Sequence, residues 1–291
     1  MKRRFKAPTS ALPNYVFQVE RLSHEGRGIA HYGTDPSHPT EKHGKKVFIS
    51  NALPGEIVRA QLTHQSAKFE QAQQIELMSA PSPQRTEPMC PHFAECGGCS
   101  LQHIHPDQQI QLKQEMLQSH LQHFAGIMPT SWLPALRTTR SDYRHKARIG
   151  VRYLPKKQKL VMGFREAQSN QLTAIQTCKV LDIALDQHLP ALHALLQGLD
   201  GRADIGHIEL VKGHSEIALL VRHTAALSQS DLLKLREFAL ERQWQLYLQP
   251  AASDSVHRVD QPEAASRLHY RFDSEDLVFG FHPTDFIQVN A

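Results

Sequence analysis

Four cysteines are the residues whose spacing could do chemistry first. Three fall in one knuckle, Cys90-x5-Cys96-x2-Cys99, and the fourth, Cys178, lies far downstream. Clustered cysteines in a chain with no secretion signal more often hold metal than form disulfides. Thiolates are soft ligands, and four of them suit a tetrahedral zinc ion or a [4Fe–4S] cube. Gly97 and Gly98 let the knuckle turn its backbone amides toward sulfur. Three close ligands plus a distant fourth is a common cluster pattern, whereas zinc ribbons usually pair two knuckles. His92, His103 and His105 stand near enough in sequence to replace a thiolate in a zinc site. Inert buried cysteines are the third reading. A radical enzyme, which needs three cysteines at x3 and x2 spacing, does not fit.

The second feature is charge. The net charge is only +4, but the stretch from Leu136 to Arg165 holds ten Lys or Arg residues and one acid, Asp142. From Ala251 to Ala291 there are three Arg and seven acids. A polyanion is drawn to the first stretch and not to the second. Ala147, Ile149, Val151 and Tyr153 alternate with Lys146, Arg148 and Arg152, which predicts a strand with one basic face. Arg144, Lys146, Arg148 and Arg152 are the candidate RNA contacts; a solvated charged surface is the alternative. No apolar run approaches the ~20 residues that span a bilayer. Residues 1–13 begin Met-Lys-Arg-Arg-Phe-Lys with no apolar segment after them, and read as a flexible basic arm on a cytoplasmic protein.

These residues need elements to position them. Residues 14–79 read as a small β-barrel: Val16–Val19, Lys45–Ile49 and Ile57–Leu62 are strands punctuated by Gly26, Gly28, Gly33 and Pro54-Gly55. Ala80-Pro81-Ser82-Pro83 reads as a linker. Residues 80–274 read as a central α+β domain carrying the cysteines. A helix is expected from Pro106 to about Phe124, with Ile110, Leu117, Leu121 and Phe124 on one face. A second strand from Leu160 to Phe164 follows the basic one. Then come a helix from Ala184 to Leu196, a hairpin pairing Ile205–Val211 with Glu216–Val221, a helix from Gln229 to Trp244, and a strand Leu246–Leu248. Phe17, Phe48 and Tyr153 could stack bases, with core packing the better reading for Phe17 and Phe48.

The knuckle Cys-Pro-His-Phe-Ala-Glu-Cys-Gly-Gly-Cys-Ser-Leu-Gln-His, Cys90 to His103, resembles the iron–sulfur uracil-5 RNA methyltransferases. His24-Glu25-Gly26-Arg27-Gly28-Ile29-Ala30 with Leu53-Pro54-Gly55-Glu56 looks like a TRAM domain, an OB-type RNA-binding barrel. Tyr143 to Arg148 resembles that family's basic motif, and Phe281 to Asn290 its entry into the methyltransferase domain. The resemblance implies a [4Fe–4S] cluster on Cys90, Cys96, Cys99 and Cys178. It implies methyl transfer from S-adenosylmethionine to C5 of a uracil, in 23S ribosomal RNA because TRAM and cluster occur together, with Gln288 touching the cofactor. Such an enzyme uses a cysteine nucleophile on C6 and a carboxylate base. No Gly-rich turn follows Gln288, and all four thiols are taken. The expected fold class is therefore α+β: an OB-like barrel, then an α+β cluster domain, with the C-terminal Rossmann-like methyltransferase domain missing. Residues 275–291 would be its stub, the nucleophile and base would lie beyond residue 291, and this chain alone would be inactive. The alternative is a non-enzymatic RNA-binding module with a structural metal or cluster.

Overall fold

The computed structural model describes residues 12–290 except Thr34, Thr139, Gln168, Asp273 and Val289; most of the expected basic arm, residues 1–11, lies outside the described residues. The chain divides into two units, Met1–Met89 with Cys99–Ala135, and Cys90–Gly98 with Leu136–Ala291.

Six strands build the first unit: β1 (Asn14–Gln18), β2 (Arg21–Leu22), β3 (Gly28–His31), β4 (Lys46–Ser50), β5 (Ile57–Gln65) and β6 (Phe69–Leu77). Their order is β1-β5-β6-β4-β3-β2, all neighbours antiparallel except β4 and β6. The two edge strands, β1 and β2, are consecutive in the chain. Val19 N–H donates to Glu56 O and Glu20 N–H to Ile29 O, each at 2.9 Å, so the edges meet and the sheet closes into a barrel. Phe17, Val47, Ile49, Val58, Ala60 and Ala72 are fully buried inside it. Phe17 is thus core and not a stacking platform, the better of the two readings given for it.

Residues 80–89 are stitched to this barrel. Glu56 is fully buried. Its carboxylate accepts Nε and Nη2 of Arg85, both at 2.7 Å, Leu53 N–H at 2.8 Å and Ser82 N–H at 3.1 Å. Burial would push this carboxyl up, but Arg85 and the two amides hold it below the usual range. Gly26 has φ +77°, and a Cβ there would lie 2.0 Å from Leu101 Cδ2, so the loop needs glycine at this point. His103 is buried beside this strap, and burial, with Arg85 nearby, pushes its pKa down to about 4. Helix α1 (Pro106–His120) belongs to this first unit and none of its residues is buried. Leu117 and Phe124 of the expected apolar face are 48% and 78% exposed.

The second unit is a seven-stranded sheet, β7 (Lys146–Leu154), β8 (Lys159–Arg165), β9 (Leu172–Ala174), β10 (Ile205–Lys212), β11 (Ile217–His223), β12 (Gln245–Gln249) and β13 (His257–Arg258). The order is β13-β12-β11-β10-β7-β8-β9. Helices α2 (Ile183–Asp186), α3 (Leu189–Gln197) and α4 (Gln229–Glu241) contribute Leu185, Leu189, Leu192, Leu196, Leu235 and Ala239 to its main core, with Ile149, Ile208 and Leu246 from the sheet. The single helix expected over Ala184–Leu196 is two. Pro190 has no N–H and is tolerated only in a first turn, so α3 starts anew at Leu189.

A second core holds Val211, Leu220, Tyr247, Leu268, Phe281 and Ile287. It is built with the hairpin β14 (Leu268–Phe272) and β15 (Leu277–Phe281) and the segment after it. The described residues from 275 to 290, expected as the stub of another domain, pack within this unit. Phe281 and Ile287 are buried, and Asn290 bridges to Arg144. The apolar pattern of Phe281, Pro283 and Ile287 serves the sheet they lie on.

Candidate nucleic-acid interface and cysteine ligands

β7 alternates as its sequence requires. Ala147, Ile149 and Val151 enter the core, and Lys146, Arg148 and Arg152 take the other face. The four basic candidates then part company. Arg144 is half-buried and its backbone is pinned, N–H to Val180 O at 2.8 Å and O to Asp182 N–H at 2.9 Å. Lys146 Nζ donates to Pro283 O at 2.7 Å and Asp285 O at 2.8 Å. Burial lowers its pKa, opposed by Glu209 at 3.9 Å. Lys146 is thus committed to holding the C-terminal segment. Arg148 and Arg152 are exposed. Arg148 reaches Glu209 through Nε at 2.8 Å and Nη2 at 2.7 Å, with its side chain 68% exposed. Arg152 Nη2 makes one long contact, 3.4 Å to Asn170 O.

Glu209 on β10 is buried, and burial alone would raise its pKa; His207, Arg148 and Lys146 together hold it low. It stays a carboxylate among three cationic or basic neighbours, and the face keeps a positive excess. Tyr153 is half-buried with the Arg202 guanidinium 4.9 Å over its ring, and Phe48 is half-buried with its edge to Phe69 at 5.6 Å.

Sequence reasoning missed Asp182. It is buried, caps α2 by accepting Ala184 N–H at 2.9 Å, and meets Lys212 Nζ at 2.7 Å and His145 Nε2 at 3.3 Å. Its helix-capping position just before Ile183 was the available signal.

The cysteine knuckle is anchored to the end of β8. Gly97 N–H donates to Arg165 O and Ala167 N–H to Glu95 O, both at 2.9 Å, and Cys96 bridges to Glu166. Gly98 N–H donates to Cys96 Sγ at 3.4 Å, the backbone-to-sulfur contact that the two glycines were expected to allow. Cys178 N–H donates to Asp186 Oδ1 at 2.5 Å. All four cysteines are half-buried and outside disulfides. Among the described residues no three Cys, His, Asp or Glu are grouped as a metal ion would need. Gln288 is exposed. Among the described residues no helix is long and apolar enough to cross a membrane.

Residues 18–73 match the TRAM domain model. The 23S rRNA (uracil(1939)-C(5))-methyltransferase RlmD of Acinetobacter baumannii strain AYE is 58% identical over 291 residues, 100% of this chain and 63% of that protein. The enzyme of the same name from Psychrobacter arcticus is 41% identical, covering 94% of this chain and 57% of that one. The chain therefore spans about three fifths of the length of these relatives. In fold, it resembles the crystal structure of Pyrococcus abyssi tRNA (uracil-54, C5)-methyltransferase in complex with S-adenosyl-L-homocysteine. The TM-score is 0.63 at 16% identity, over 94% of this chain and 61% of that one.

That likeness corrects the expected fold class. The chain was expected to lack its Rossmann-like methyltransferase domain, yet 94% of it follows a methyltransferase fold. The last residues, from which the missing domain was argued, are built into the sheet unit. With that goes the ground for expecting an inactive chain. The TRAM match at residues 18–73 and the 58% identity over 291 residues make this chain similar, along its length, to about three fifths of a 23S rRNA uracil-C5 methyltransferase.

Proposed function

We propose that this chain serves the S-adenosylmethionine-dependent methylation of C5 of a uracil in 23S rRNA, in the cytoplasm, at the uracil that its relatives' names number 1939. The observation that carries the proposal is the 58% identity along the whole chain. In the reaction the methyl group leaves the sulfonium sulfur for C5, the C5 proton passes to a base, and the cofactor departs as its thioether.

RNA binding falls to the TRAM barrel and to the exposed face of β7. Arg148 and Arg152 are the phosphate contacts there; Arg144 is tied by its backbone to Val180 and Asp182, and Lys146, on the same face, holds the carbonyls of Pro283 and Asp285. Gln288 contacts S-adenosylmethionine. By the resemblance, Cys90, Cys96, Cys99 and Cys178 would hold a [4Fe–4S] cluster, which needs them grouped more closely than the described residues place them. Thiol ligand chemistry, the knuckle spacing and the Gly98 amide on Cys96 sulfur support this assignment. A bound cluster supplies a covalent crosslink among its ligands, and methyl transfer to uracil draws no electrons from it.

The test is salt dependence. Affinity for single-stranded RNA should fall linearly in log K against log salt. Arg148→Ala with Arg152→Ala should flatten that slope by about 1.4, at roughly 0.7 per lost phosphate contact. An unchanged slope would take the RNA off β7.

A further inference from the structure

The sheet of the second unit carries a groove of about 440 Å³ across β7, β8 and β10. That volume lies within the ~300–1,000 Å³ of small-ligand sites. Arg148, Arg152 and Arg165 line it from two strands, and no acid does among the described residues. Its floor is low because the register sets Gly150 of β7 against Gly163 of β8 on one side and against His207 of β10 on the other. Two of the three arginines converge on one residue. Arg165 Nη1 reaches Asn170 Oδ1, and Arg152 Nη2 reaches Asn170 O, each at 3.4 Å. Such long contacts leave most guanidinium donors to solvent, in the planar fork that matches phosphate oxygens. Half-buried His207 adds ring surface to the lining, while Phe164 turns its ring to the main core on the other face of β8.

We propose that this groove binds one nucleotide of single-stranded RNA. Its phosphate sits between Arg152 and Arg165, and its base lies against His207. The inference rests on the RNA reading above and deepens it, since neither Arg165 nor the β8 face follows from a basic β7 alone. A three-arginine groove with a ring at its side favours an unpaired nucleotide. A paired base is already stacked and cannot reach the floor.

Gly206 provides a test that moves no charge. It lines the groove, and a Cβ there meets nothing closer than Arg222 Cγ at 3.9 Å, so the backbone accepts a side chain. Affinity of the full chain for a short labelled single-stranded oligoribonucleotide, and for its duplex, would be measured by fluorescence anisotropy. Thermal melting would establish that each variant is folded. Arg165→Ala should weaken single-strand binding about tenfold, as for a lost charge-assisted contact, and flatten the salt slope by about 0.7. Gly206→Leu should weaken it by a similar factor with melting unchanged. Wild-type single-strand affinity in both variants would overturn the groove. Equal losses on duplex and single strand would overturn the unpaired nucleotide. If the Arg148→Ala, Arg152→Ala double variant weakens binding while these two do not, the groove fails and the RNA reading stands. If none of the variants changes binding, both fail.

Discussion

Glu56→Ala should unfold the first unit at temperatures where the unchanged chain is stable. The carboxylate is fully buried and accepts four donors: Arg85 twice, and the amides of Leu53 and Ser82. Removing it leaves the Arg85 charge facing the barrel wall with only neutral acceptors, Asn51 O at 2.8 Å among them, and strips two backbone amides of their partner. Breaking a buried ion pair from one side costs about 3–5 kcal/mol, a large share of the stability of a small domain. The pair also fastens residues 80–89 to the barrel, so the loss reaches beyond β5. Glu56→Gln keeps the shape and part of the hydrogen bonding and should cost less. The measurement is thermal or urea unfolding of each variant. A melting curve for Glu56→Ala that overlays the parent would show that the pair contributes nothing net.

The second large effect concerns the cysteines. Purified without oxygen, the chain should be brown, absorb near 400 nm and carry about four irons. Cys178→Ser should abolish colour and iron together. Serine matches the shape of cysteine but offers a hard hydroxyl in place of a soft thiolate. Cys178 is the informative choice because it lies outside the knuckle. If the knuckle alone held the metal, this variant would keep it. A colourless parent with one zinc per chain would support the zinc reading that the spacing left open.

The sequence made some of this legible and hid the rest for physical reasons. β7 could be read because Ala147, Ile149 and Val151 alternate with basic residues, and one face of the sheet is core. β6 could not, since Phe-Glu-Gln-Ala-Gln-Gln-Ile-Glu-Leu looks too polar for a central strand. A barrel strand buries only one face, and here that face includes Glu70, held by Tyr32, Lys42 and Lys45. Those partners come from the segment between β3 and β4, far from Glu70 in sequence, so no local pattern announces them. The same holds for Lys146. Periodicity puts it on the basic face, but the carbonyls of Pro283 and Asp285 claim its ammonium across most of the unit's chain length. Arg165 shows the converse. It stood in the basic stretch, and only the shared contact with Asn170, in the segment between β8 and β9, brings its guanidinium toward that of Arg152. β15 fell inside the stretch read as the stub of another domain, and its pairing with β14, just before that stretch, was missed. The two strands pack where the chain already was.

The central claim is methylation of one uracil in 23S rRNA. The most direct measurement is a base-resolution map of 5-methyluridine along 23S rRNA from cells of the source organism with this gene intact and with it deleted. The account predicts loss of methylation at the uracil corresponding to position 1939, with other uracils unchanged and the mark restored when the gene is returned. Full methylation at that uracil in the deletion strain would contradict it.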